Sequence, residues 1–239
     1  MSKYGNNLIE IPGRSTKKAL TKVYWDELRP LTEELEVHPR LPVYETKYAI
    51  PLTRIVVNTE IGIKMQNSAA SNLDFSNIIR TTLQSYTHIY TDGSESEQAL
   101  STGAACICPQ RNTHITLSLN KEASIYAAEA TAIIMAIDLA IQNPTHPYII
   151  WTDSLSTVQA LKSNDPKTIS DHRIIKIKTL IHKYHELSNI GTTLQIYWLP
   201  PHLRIVSNEM ADSAAREAAK NHSDQHIKSN YSDLCPQLE

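Results

Sequence analysis

Cysteine is scarce in this chain: three in 239 residues, Cys106, Cys108 and Cys235. So small and odd a set argues against a disulfide framework and for a reducing compartment. Cys106 and Cys108 fall on one predicted strand and face the same side, so they are read as core residues rather than metal ligands. An excess of one charge is also lacking. The formal net charge is −2, without the global basicity that often marks nucleic-acid binders, so any such partner must be held locally. Long apolar runs are missing as well. The stretch "MSKYGNNLIEIPGRS" has no signal-peptide core, and the greasiest segment, residues 125–141, is interrupted by Glu129 and Asp138. We therefore expect neither secretion nor a membrane span, and an intracellular place of work. A Gly-x-Ser-x-Gly elbow and paired zinc knuckles are absent, which sets aside hydrolase triads and finger modules. What remains is an ordinary globular composition, 41% hydrophobic, enough for a sizeable core in one large or two small domains.

One pattern occurs twice. "HIYTDGSES" and "YIIWTDSLS" are aromatic and β-branched runs that reach Thr-Asp and then small polar residues, with Asp92 and Asp153 sixty-one residues apart. Each reads as a strand that stops at its aspartate. Around them the order is three strands, helix, strand, helix, helix, strand, helix. The strands are expected at 86–91, 102–108, 113–119, 148–152 and 193–198. The helices are expected at 124–142, 154–162, 170–188 and from Ser207 or Asn208, either a competent N-cap, to 219. Short connections make the first three strands antiparallel neighbours. The fold class is α/β, a five-stranded mixed sheet with helices packed on it.

Residues 1–85 follow no such order. "KKALTKVYWDEL" has helical spacing at Leu20, Val23, Tyr24 and Leu28 and ends at Pro30, and Pro-punctuated extended pieces such as "LPVYETKYAIPLTRIVV" follow. This segment is left without a fold. "GRSTKK" lacks the leading glycine spacing after a strand that a phosphate loop needs. The tail 222–239 is polar and is expected outside the core.

Two further acids sit oddly. Ile125, Ala132, Ile133 and Ala136 lie at helical offsets from Glu129, which places that carboxylate on the apolar stripe. Taken alone, Glu129 is a first-turn acid that favours the helix dipole and reaches solvent. Asp212 comes early enough in the Ala-rich "NEMADSAAREAA" to point at the end of the sheet. With Asp92 and Asp153 that makes four acids able to converge where strands end. Within about 5 Å of one another they would repel by about 3 kcal/mol per pair at an effective dielectric near 20, so such a cluster needs cations. All-oxygen ligation selects Mg²⁺ or Mn²⁺ over zinc.

"YTDGS", "SIYAAEATAI", "IWTDSLSTVQAL" and "WLPPHLRIVSNEMADSAAR" resemble, in order and spacing, the four motifs of type I ribonuclease H domains. The likeness is strongest to the domains that follow the reverse transcriptase in non-LTR retrotransposon polyproteins. It covers about residues 86–221 and implies a ribonuclease H-like fold. It also implies an endonuclease that cuts the RNA strand of RNA–DNA hybrids with two Mg²⁺ ions, Mn²⁺ able to substitute, leaving 5′-phosphate and 3′-hydroxyl ends. By resemblance Asp92, Glu129, Asp153 and Asp212 are the metal-binding acids, and His202 assists proton transfer or product departure. Gly93, Ser94 and Ser154 match substrate-binding positions. Selection of the RNA strand would rest on 2′-hydroxyls in the wide minor groove. Residues 1–85 then suggest a remnant of the polymerase connection, and a reverse transcriptase region a partner.

The match departs from the pattern in three places. Leu155 stands where the family usually has Gln or a similar polar residue, and it cannot hydrogen-bond a 2′-hydroxyl. Arg204 and Ser207 fill glycine positions of the His loop, where a side chain costs about 1 kcal/mol if φ is positive. Residues 86–221 carry 11 Lys and Arg against 13 Asp and Glu, hence 11 against 9 with the four site acids set aside. Arg173, Lys176 and Lys183 share much of one helix face, read as solvated surface, with tracking of a phosphate backbone as the alternative. The rival reading is a catalytically silent relic that binds nucleic acid or serves as a scaffold, whose mark would be a missing acid; none is missing. Exonuclease relatives want Asp-x-Glu where this chain has Asp92-Gly93-Ser94, and integrases want Glu where it has Asp212.

Overall fold

The computed structural model describes residues 55–96, 101–119, 123–163, 165, 168, 171–189 and 191–220. The helix read in "KKALTKVYWDEL", the "GRSTKK" fragment, the extended pieces before residue 55, Cys235 and the tail from His222 lie outside them. The described elements are β1 (Val56–Asn58), α1 (Glu60–Gln66), α2 (Ser71–Thr81), β2 (Thr87–Ser96), β3 (Ser101–Cys108), a 3₁₀ turn at Pro109–Arg111, and β4 (Thr113–Ser118). There follow α3 (Ile125–Ile141), β5 (Tyr148–Thr152), α4 (Leu155–Lys162), α5 (His172–Leu187), β6 (Leu194–Trp198) and α6 (Val206–Lys220). Among the described residues no helix is long and apolar enough to cross a membrane.

The sheet is α/β and mixed as expected, but it has six strands rather than five, in the order β1-β6-β5-β2-β3-β4. β2–β3 and β3–β4 are antiparallel; β2–β5, β5–β6 and β6–β1 are parallel. The added strand is Val56–Asn58, from the segment left unassigned. Three residues are too few for a period to register in sequence, and β1 exists because the open edge of β6 supplies backbone partners, with Val57 opposite Ile196.

β2 also runs further than its sequence suggests. It does not stop at Thr91 but continues through Asp92 to Ser96, because β3 offers partners as far as Ser96↔Ser101. Its pairing with β5 does end, at Thr91↔Thr152. Asp92 therefore stands where the sheet splits rather than where a strand finishes.

Side chains alternate across the sheet. One face, under α3, α4 and α5, packs Ile89, Ile150 and Ile196 with Ile133, Ile177 and Tyr184. Cys106 and Cys108 lie buried and unpaired on this face, as read. The other face packs Tyr90, Trp151 and Tyr197 with Met65, Phe75, Leu83 and Ala211. Trp151 sits at its centre, its ring edge-on to Phe75 and to Tyr197 at 5.0 Å each. Its indole donates to His88 Nδ1 at 3.0 Å, while His88 Nε2 faces the Leu83 carbonyl at 3.1 Å. Burial holds the His88 imidazole below its usual pKa, consistent with a neutral ring that accepts at Nδ1.

Local signals set three of the helix starts. Ser124 accepts from Ala127 N–H, Ser154 from Thr157 N–H, and Asp171 from the N–H groups of Arg173 and Ile174. α6 is different. It begins at Val206, so Ser207 and Asn208 lie inside its first turn, and the carbonyl of buried Ile205 takes the Asn208 and Glu209 N–H groups. Backbone geometry, not a side-chain cap, sets that start.

Candidate active site

Asp92 in β2 and Asp153, which follows β5, lie side by side just past the last rung between these adjacent parallel strands. Glu129 reaches them from the second turn of α3. One carboxylate oxygen of each of the three lies within 4.8 Å of the others. Glu129 is only 9% exposed, so it is neither the first-turn nor the solvated acid of its simplest reading. Ala132, Ile133 and Ala136 are buried on its stripe, whereas Ile125 is 44% exposed.

Gly93 sets how close α3 can come. A Cβ at Gly93 would lie 2.6 Å from the Glu129 backbone nitrogen and 2.9 Å from the Ala128 carbonyl carbon. The missing side chain thus has a packing cause, close helix–strand approach. Ser94 pairs with Gly103 in the β2–β3 ladder. Ser154 is buried as the α4 cap, its hydroxyl 2.8 Å from that of Thr157. Leu155 opens α4 and is 41% exposed.

The electrostatics are those of a crowded anionic pocket. Burial, with the charges of Asp153 and Asp212 adding to it, pushes the Asp92 carboxyl up to about 8. Burial, and then Asp153 and Asp92, push Glu129 up to about 9, against a lowering hydrogen bond from the Gly93 backbone. Asp153 is raised mainly by burial, with Asp212 adding to the rise and His202 opposing it. Glu129 Oε2 is buried and has no hydrogen-bond partner among the described residues. A buried acceptor in that state is costly unless something positive meets it.

Asp212 and His202 stand just outside the trio. Asp212 is ion-paired with Arg216 one turn on, Nε to Oδ1 2.9 Å, yet its charge is felt by both aspartates. His202 is exposed at φ +65° on the loop before α6, and Arg204 beside it has φ +54°. Of the two glycine-position residues, then, only Arg204 adopts positive φ; Ser207 is helical. Arg173 does not share a solvated face with Lys176 and Lys183. It is 5% exposed, lies 3.5 Å from Asp171 and places its guanidinium 5.3 Å above the Tyr126 ring, so it is covered by its own neighbours.

Two contributors escaped the sequence reading. Arg216 had a signal, its i,i+4 spacing from Asp212. Trp198, whose indole donates to the Asp153 carbonyl at 3.1 Å, had none until β5 and β6 were paired.

Curated proteins give no match to this chain. A family model described as RNase H matches residues 84–220. That span takes in β2 through α6, holds the three clustered acids together with Asp212 and His202, and covers over half of the sequence. The chain therefore belongs to the RNase H family.

Proposed function

We propose that this protein is an endonuclease that hydrolyses the RNA strand of RNA–DNA hybrids and leaves 5′-phosphate and 3′-hydroxyl ends. The observation that carries the reading is the convergence of Asp92, Glu129 and Asp153 within 4.8 Å inside the family match. The donor set fits hard divalent cations. It is all oxygen, three carboxylates are packed at mutual cost, and Glu129 Oε2 has no hydrogen-bond partner among the described residues. Two Mg²⁺ ions, with Mn²⁺ able to replace them, would supply charge stabilisation at the attacking and leaving oxygens.

The chain's own residues do the rest. Asp92, Glu129 and Asp153 would hold the cations, with Asp212 beside them as a further carboxylate ligand. His202, on an exposed loop, moves a proton near the scissile phosphate or helps the product leave. Gly93, Ser94 and Ser154 line the approach of the RNA strand. We infer further that the working region, residues 86–221, comes from a non-LTR retroelement polyprotein and acts beside a reverse transcriptase region. The motif likeness supports that origin.

The test is a labelled RNA–DNA hybrid incubated with the chain and Mg²⁺ beside Asp153→Asn. RNA breakdown by the parent chain and its loss in the variant are expected; equal breakdown by both would refute the site. The silent-relic reading draws on one observation, the engagement of Asp212 by Arg216. It predicts hybrid binding without cleavage in the same assay.

A further inference from the structure

The family match begins at residue 84, yet Val56–Asn58 is a strand of the same sheet and the residues after it touch elements that carry the site at three points. After β1, Thr59 Oγ1 accepts from Nζ of Lys162, the last residue of α4, at 3.3 Å. α1 presses on Trp198, where a Cβ at Gly62 would lie 2.4 Å from the Trp198 carbonyl oxygen. That same tryptophan holds the Asp153 carbonyl through its indole. From α2, Asn72 Nδ2 donates to the Arg204 carbonyl at 3.0 Å.

The third contact is the informative one. His202 and Arg204 both have left-handed backbone, φ +65° and +54°, which L side chains adopt at a cost of about 1 kcal/mol each. Such a turn persists only where its surroundings hold it. Leu203 and Ile205 pack into the cluster that contains Phe75 and Met65, which fixes the depth of the loop. Apolar contact leaves the peptide plane free to rotate. The hydrogen bond to the Arg204 carbonyl is directional and removes that freedom.

We propose that Asn72 is a positioning residue: by binding the Arg204 carbonyl it fixes the left-handed turn that presents His202 to the site, making residues 56–83 a working part of the enzyme. The inference rests on the role proposed above for His202.

Two readouts on the full chain test it. The first is amide hydrogen exchange at Asn208 and Glu209, whose N–H groups bond the Ile205 carbonyl next to the turn, in Asn72→Ala and in Asn72→Asp, which keeps the shape but lacks the donor. Exchange there is expected to rise about three- to tenfold in both, the worth of one hydrogen bond, with the melting midpoint near that of the parent. Phe75→Leu serves as the contrast, lowering the midpoint without singling out this loop. The second readout is hybrid cleavage. Asn72→Ala should lower kcat with KM little changed, and should cost nothing further in a His202→Ala background. Unchanged exchange at Asn208 and Glu209 overturns the proposal whether or not the parent chain cleaves hybrids. Raised exchange with full cleavage overturns the positioning role. A parent chain that cuts no hybrid refutes the proposed function and leaves the tether to be decided by exchange.

Discussion

Thr91 and Thr152 form the last rung of the parallel ladder between β2 and β5, and the next residue on each chain segment is an aspartate. Parallel neighbours leave a sheet at the same end, so residues 92 and 153 become adjacent through pairing alone. β2 then continues beside β3 while β5 gives way to α4. The gap so formed is where Glu129 enters.

Crowding of these acids sets a pH dependence of stability. Asp92 and Glu129 titrate at about 8 and about 9 when folded, while unfolded carboxyls titrate near 4. Between those limits the folded chain binds more protons than the unfolded one, so stability falls as pH rises, by at most about 1.4 kcal/mol per pH unit for each group. The metal-free melting midpoint should drop between pH 5 and pH 8.5. Asp92→Asn should flatten that slope, and millimolar Mg²⁺ should raise the midpoint most at the alkaline end. A midpoint that climbs with pH in the metal-free protein would contradict the crowded pocket.

Arg216 competes with cations for Asp212. Arg216 is exposed and Asp212 only partly buried, so Arg216→Ala should cost less than about 1 kcal/mol of stability. Removing the guanidinium frees Asp212 and deepens the negative potential at Asp92, which Arg216 otherwise relieves. The Mg²⁺ concentration that half-saturates the thermal shift should therefore fall in the variant. A rise would show that Arg216 orients Asp212 for binding instead of withholding it.

Gly93→Ala tests the close approach of α3. The new methyl would meet backbone atoms of Ala128 and Glu129, which no rotamer change can clear, so a loss above about 2 kcal/mol is expected in urea unfolding. Gly191→Ala, at φ +90° with nothing within 4 Å, should lose only about 1 kcal/mol. Equal costs at the two positions would remove the packing explanation.

Leu155 offers a gain rather than a loss. It is exposed at the start of α4, two residues past Asp153. Leu155→Gln places a hydrogen-bonding group there at little folding cost, and hybrid affinity measured by fluorescence anisotropy should tighten several-fold. No change, or weaker binding, would mean that this position does not face the RNA.

Legibility divided along the range of the forces involved. Ser124, Ser154 and the unbroken aromatic and β-branched run Tyr148–Thr152 announce their elements because capping and strand propensity act over a few residues. β5 matches its expected span to the residue. Val56–Asn58 announces nothing, since an edge strand of three residues is made by its partner. The spread of α6 back to Val206 likewise follows from Ile205 being buried, which no local period reveals. Arg173 looked like surface because its cover, Tyr126 and Asp171, comes from the tertiary packing of α3 and from its own cap.

By itself, then, the order of residues determined that this chain is α/β, which four acids stand out from their surroundings, and which family's motifs they match. Tertiary structure alone decided that Asp92, Glu129 and Asp153 share a pocket, that Arg216 holds Asp212 beside it, and that Val56–Asn58 adds a sixth strand to the sheet. The reason is physical: periodicity and capping are nearest-neighbour effects along the chain, whereas carboxylate repulsion, ion pairing and strand partnership depend on distances that exist only once the sheet has formed.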